Sequence, residues 1–167
     1  MDNKNITNKI TNTDFDEDII TAESTDLRQC RNYDISTIGG ASEEFIVTIT
    51  DDMLDSFEKA TGDHNPLHTD PSFAKDRGYK DKVAFGLLTA DFLSTLCGMY
   101  LPGERSLIQE MRIKFPKPVY VGDVLTVKGV VDEVHEAVRQ VVLKISMSNQ
   151  DGEKVLRGSI RVGLLDG

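Results

Sequence analysis

The chain has 167 residues, 39% hydrophobic and 28% charged, the balance of a soluble globular protein long enough to bury one sizeable core. Its formal charge of −9 argues against a nucleic-acid-binding face and against docking on an anionic membrane surface; a polyanionic ligand would need a local basic patch. The two cysteines, Cys30 in a polar stretch and Cys97 in an apolar one, do not read as a disulfide and fit a reducing cytoplasm.

Residues 1–12 are polar with no apolar h-region, so no secretory signal is expected. No apolar stretch reaches the roughly 18 residues of a membrane helix. Residues 1–37, rich in Asn, Thr and Asp, show no sustained period and read as an N-terminal extension, either mobile or a partner-binding arm. The folded domain is expected over 38–167. A first strand is expected at 44–49, and then Thr50 as the N-cap of a helix with Asp51 and Asp52 in its first turn. Met53, Leu54, Phe57 and Ala60 follow at helical spacing, and Gly62 sits where that helix would end. Residues 63–68 then read as a loop between two helical pieces, the second running through 72–76 and closed by Gly78. Asp70, before Pro71, reads as the cap of that second piece.

Residues 86–99 differ in kind. Leu87, Leu88, Ala90, Phe92, Leu93, Leu96, Cys97 and Met99 cover nearly the whole circumference of a helix, which implies enclosure on most sides. Strand patterns follow at 107–115, 124–134, 138–149 and 155–164, with turn signals at Gly122-Asp123 and Asp151-Gly152. One apolar helix followed by four long antiparallel strands implies an α+β domain, a curved antiparallel sheet wrapped around a central helix: the hot-dog fold.

The most informative run is Asp63-His64-Asn65-Pro66-Leu67-His68. Residues i and i+5 lie on different faces of a continuous helix, but Pro66 restricts Asn65 and favours a turn, so Asp63 and His68 can converge on one small space. A carboxylate and an imidazole around a single water suit the addition or removal of water. The run resembles the G-D-x-N-P-L-H-x-D signature of MaoC-like dehydratases and (R)-specific enoyl-CoA hydratases. Two further blocks are similar to that family's: Lys82-Val83-Ala84-Phe85-Gly86-Leu87-Leu88 at the start of the central helix, and the F-x-x-P-V-x-x-G-D block from Phe115 to Asp123.

The resemblance implies a lyase of fatty-acid type chemistry, syn addition of water to a trans-2-enoyl thioester to give an (R)-3-hydroxyacyl thioester, and its reverse. Asp63 and His68 would hold the catalytic water, with His68 as general base and Asp63 handling the proton at the α carbon. Asn65 would shape the loop at the substrate. Gly86 would present its backbone N–H to the thioester carbonyl at a helix N-terminus, and Ser94 would supply a supporting hydrogen bond. Phe85 stands where many relatives carry histidine, which bears on acyl preference and substrate contact. The implied partners are acyl-CoA or an acyl carrier protein and a second copy of the chain in a homodimer or higher assembly; no cofactor is implied.

Other readings remain for several residues. His64 and His135 read as solvent-exposed. His64 and His68 are four apart, but Pro66 and the lack of an intervening glutamate weigh against a metal site. Lys75, Arg77, Lys80 and Lys82 form a local basic cluster that would suit phosphates, although interleaved Asp76 and Asp81 favour a solvated face. Asp91, the single charge in the apolar helix, is the position a thioesterase on this fold would use. A non-catalytic binding or assembly subunit is the remaining alternative.

Overall fold

In the computed structural model, which describes residues 29–166, the capping signals define the first elements. After strand β1 (Ser42–Thr48), helix α1 (Asp51–Thr61) begins where the Thr50 side chain accepts from the Met53 N–H, and it ends at Gly62, whose φ of 71° only glycine adopts cheaply. Residues 63–68 are not wholly a loop as expected: Asn65 caps a single helical turn, α2 (Pro66–Thr69), with Pro66 in its first position. Asp70 then caps α3 (Pro71–Asp76), accepting from the Ser72 and Phe73 N–H groups.

The central helix α4 (Gly86–Thr95) continues as a π-helical turn over Leu96–Tyr100 rather than as α-helix to residue 99. Strands β2 (Ser106–Lys114), β3 (Val124–His135), β4 (Gln140–Ser148) and β5 (Lys154–Leu164) follow. With β1 they form one antiparallel sheet in the order β1-β3-β4-β5-β2, leaving β1 and β2 at its edges. This is the α+β hot-dog arrangement read from the sequence.

Strand register explains where the core sits. Val131, Leu143, Ile160 and Met111 pair in succession across β3, β4, β5 and β2, forming a row that faces the helix. Leu88, Leu93, Leu96 and Cys97 meet that sheet face in one continuous core with Leu125, Val127, Ile145 and Val162. Each fully buried aliphatic side chain contributes roughly 1.5–3 kcal/mol. Burial also pushes the Cys97 thiol up to about 12, so it stays protonated and inert.

The neighbouring row contains Gly129, Ile145, Gly158 and Ile113. A Cβ on Gly129 would lie 2.9 Å from Leu96 Cδ2, so the helix occupies the space a side chain there would need. A Cβ on Gly158 would come within 1.9 Å of the Arg112 carbonyl oxygen on β2.

Enclosure of α4 is narrower than its composition implies. Leu88, Thr89, Ala90 and Leu93 are buried, but Leu87 is 64% exposed, and Asp91, Ser94 and Thr95 are exposed with it. An apolar circumference cannot distinguish a helix buried in its own chain from one leaving a flank for something else to cover.

Residues 1–28, most of the expected N-terminal extension, lie outside the described residues. Within 29–37, the Arg31 N–H bonds the Met99 carbonyl at 2.8 Å and Glu104 N–H bonds the Arg31 carbonyl at 2.9 Å, attaching this stretch to the end of the central helix.

Because backbone rather than a flexible side chain blocks the added methyl, Gly158→Ala is expected to cost about 1–3 kcal/mol. Thermal unfolding should show a melting temperature lower by several degrees; an unchanged value would mean that β2 and β5 are not this closely apposed.

Candidate active site

Asn65 organises the local chain around the Asp-His run. Its backbone N–H donates to Asp63 Oδ1 at 3.1 Å, its side-chain Oδ1 accepts from Leu67 N–H at 3.0 Å, and its carbonyl accepts from His68 N–H at 2.9 Å. Asp63 and His68 therefore hang from one residue, the first through an Asx turn and the second through a helical turn. Asp63 is exposed and His68 half-buried.

The His68 ring meets the backbone of a second segment. Its Nδ1 lies 2.7 Å from the Val83 carbonyl oxygen. A carbonyl only accepts, so Nδ1 carries the proton and the neutral ring keeps its lone pair on Nε2. Among the described residues nothing hydrogen-bonds His68 Nε2 or Asp63 Oδ2, which leaves one free acceptor on each side chain. That combination takes up and delivers protons at a bound water.

Residues 83–84 are held from both sides. Val83 N–H donates to the Leu67 carbonyl at 3.0 Å, and Ala84 N–H to the Val119 carbonyl at 2.8 Å. The 115–123 block is anchored by Asp123, which is 4% exposed and accepts from Tyr120 N–H at 2.9 Å and from Gln150 Nε2 at 3.2 Å. Reading side chains alone missed two of these parts: the Val83 carbonyl has no signature in a sequence, and the only signal for Asp123 was its place at the end of the G-D turn.

Phe85 and Gly86 begin α4. No side chain caps the helix, so the first-turn N–H groups keep their positive end open. Gly86 is half-buried, and a Cβ there would meet only the Phe115 ring, at an ordinary 3.7–3.9 Å. Neither backbone angle nor packing within the chain demands glycine at this position. Phe85, read from the sequence as a substrate contact, is only 2% exposed and packs its ring on His68 and Phe57.

Ser94 lies on the exposed face of α4, and among the described residues no bond ties it to Asp63 or His68. Desolvation by the surrounding helix raises the Asp91 carboxyl on that face above its ordinary value of 3.8. His64 is exposed and paired with Glu58 Oε1 at 2.6 Å, and His135 is exposed and paired with Glu133 Oε2 at 3.0 Å. Among the described residues no cluster of three or more His, Cys, Asp or Glu side chains could hold a metal.

Three of the four cations in the basic cluster face carboxylates. Lys75 faces Asp81 at 3.7 Å, Lys80 faces Asp123 at 3.8 Å, Lys82 pairs with Asp51 at 2.5 Å, and the Arg77 guanidinium lies over the Phe73 ring. An open cavity of about 380 Å³ beside this cluster is lined by Asp51, Lys80, Asp81, Lys82, Tyr120 and Val121.

Residues 37–152 match the profile of the MaoC like domain. The (R)-specific enoyl-CoA hydratase of Aeromonas caviae is 32% identical over 109 residues, covering 65% of this chain and 81% of that protein. The mitochondrial 3-hydroxyacyl-[acyl-carrier-protein] dehydratase FERN of Solanum lycopersicum is 29% identical over 113 residues, covering 66% of this chain and 67% of that protein. The R-hydratase PhaJ1 of Pseudomonas aeruginosa superposes with a TM-score of 0.77 at 26% identity, covering 83% of this chain and 90% of that structure.

Long-range ¹⁵N correlation spectra of the neutral ring should show His68 with its proton on Nδ1. A dominant Nε2–H tautomer would mean that the Val83 bond is not made. A second expectation concerns Asp91, whose raised pKa makes its ionised form a cost to the folded state. That cost is absent below pH 3.8, where the unfolded carboxyl is also protonated, and grows as pH rises through the folded value. Asp91→Asn should therefore melt higher than the parent near neutrality and lose that advantage in acid; a pH-independent difference would show that desolvation is not the cause.

Proposed function

The chain belongs to the MaoC-like domain family, and we propose that it acts as a hydratase/dehydratase of acyl thioesters, interconverting trans-2-enoyl-CoA and (R)-3-hydroxyacyl-CoA. The observation that carries this reading is the Val83 carbonyl on His68 Nδ1, which leaves Nε2 as a base while Asp63, suspended from the same asparagine, offers a free carboxylate oxygen.

In the hydration direction His68 Nε2 takes a proton from water as the water oxygen bonds to C3. Electrons of the C2–C3 double bond move toward the thioester carbonyl, whose oxygen becomes an enolate. The Gly86 N–H, at the uncapped start of α4, donates to that oxygen and the helix dipole favours its charge. The proton that His68 takes from the water passes to the Asp63 carboxylate, which delivers it to C2, so one water is consumed with no net change in either residue. Gly86 fits this role because nothing inside the chain requires it: the absent side chain keeps the N–H open to an approaching carbonyl. Asn65 shapes the loop, and Ser94 is assigned a supporting hydrogen bond.

Coenzyme A is the favoured carrier, and acyl carrier protein is the second reading, motivated by the tomato relative's name. Assembly as a homodimer is supported by an apolar flank on one side of the molecule: Leu87 on α4, with Met111 on edge strand β2 and Phe115 just beyond it, 37% and 45% exposed. A thioesterase reading centres on Asp91, but it leaves the Asp63–His68 arrangement without a use. The two unpaired cysteines support a cytoplasmic setting.

Loss of enoyl-thioester absorbance with crotonyl-CoA tests the assignment. Asp63→Asn and His68→Ala should each lower kcat about 10²–10⁴-fold, and exposed Asp63 should be replaceable without loss of fold. Gly86→Ala separates catalysis from stability: melting should be unchanged or slightly raised, while kcat falls about 10²–10³-fold. Wild-type rates in Asp63→Asn would remove the hydratase reading. Failure of every enoyl thioester, carrier-linked ones included, would leave the binding-subunit alternative.

A further inference from the structure

We infer that Phe85 is a positioning residue for His68: its flat ring restrains the tilt of the imidazole that the Val83 hydrogen bond alone leaves free. This rests on the proposed role of His68 as the base. The two rings lie 4.3 Å apart between centroids at an interplanar angle of 35°. Behind Phe85 stands the Phe57 ring of α1, at 5.0 Å and 39°.

A single hydrogen bond from Nδ1 holds one atom of the imidazole. The ring is also tethered through Cβ, but small rotations about χ1 and χ2 that keep the Val83 hydrogen bond still tilt its plane and displace Nε2, the atom that must meet the water. A flat aromatic surface against one face restrains that tilt. Productive geometry needs such restraint to within about 10–20°, and small misplacements of reacting groups cost large factors in rate.

Phe85 is 2% exposed, and its ring packs on those of His68 and Phe57. The bland alternative is that Phe85 only fills volume. The two differ in what they require: a filler needs size and apolarity, whereas a positioner needs a plane.

Phe85→Leu keeps apolarity and most of the volume but loses the plane, and Phe85→His restores a flat ring. Steady-state kinetics with crotonyl-CoA should show kcat lowered at least tenfold in Phe85→Leu, with KM within about threefold, and largely recovered in Phe85→His. A second readout needs no turnover. In parent protein the His68 ring protons should be shifted upfield by the aromatic ring relative to exposed His135, and Phe85→Leu should lose that shift and broaden the signals. Unchanged kcat in folded Phe85→Leu, or His68 signals identical to the parent's, would overturn the proposal. If wild-type protein hydrates no enoyl thioester, the functional reading falls while the spectra still decide the positioning. Should Phe85→Leu fail to fold, Phe57→Leu removes the backing ring; a smaller loss of kcat and partial His68 broadening support the proposal, and neither effect overturns it.

Discussion

The site depends on a two-residue strip of backbone, Val83-Ala84, that bonds in three directions. The Val83 carbonyl takes the His68 ring proton, its N–H reaches back to the turn that carries His68, and Ala84 N–H reaches out to the 115–123 block. Two residues further on, the chain enters α4 at Gly86. His68, the turn that carries it and Gly86 are thus referenced to one short segment. Backbone hydrogen bonds in a partly buried setting hold position more rigidly than side-chain contacts, because no rotamer freedom remains to be lost.

That strip in turn is held by two larger structures. On one side the buried Asp123 carboxylate gathers the Tyr120 N–H and the Gln150 amide, fixing the turn before β3. On the other, α4 lies on a sheet face whose inward rows include two glycines, Gly129 beneath Leu96 and Gly158 against β2. Gly129 lets Leu96 of the π-helical turn lie closely on β3, and Gly158 lets the β2 backbone lie closely against β5. A disturbance far from Asp63 and His68, such as a methyl group on Gly158, therefore threatens the frame on which their geometry rests.

Chemistry at the site is divided between restraint and access. His68 is restrained at Nδ1 and on one ring face, and its Nε2 is open. Asp63 is restrained at Oδ1 by the Asn65 amide, and its Oδ2 is open. Gly86 has no side chain although its own chain would tolerate one. In each case the atom left free is the one a water or thioester would use. The outward face of α4, with Leu87, Asp91 and Ser94, extends this open side beyond the motif.

Much of this was legible in the sequence because the signals are local. Thr50, Asn65 and Asp70 cap helices through contacts two or three residues away, and alternation in β3, β4 and β5 states which face is buried. The hot-dog arrangement follows from such short-range rules together with the three motif blocks, and the same blocks single out Asp63 and His68. Contacts between distant segments were not legible: Val83 reaching His68 across fifteen residues, Asp123 anchoring the 115–123 block, and the Phe85 ring packing on His68. A backbone carbonyl is common to every residue, and an apolar side chain carries no mark of which surface it will meet. Sequence alone determined the elements and the chemical groups; tertiary structure decided which nitrogen of His68 is free and which face of α4 stays open, because both depend on the relative placement of segments that no local rule relates.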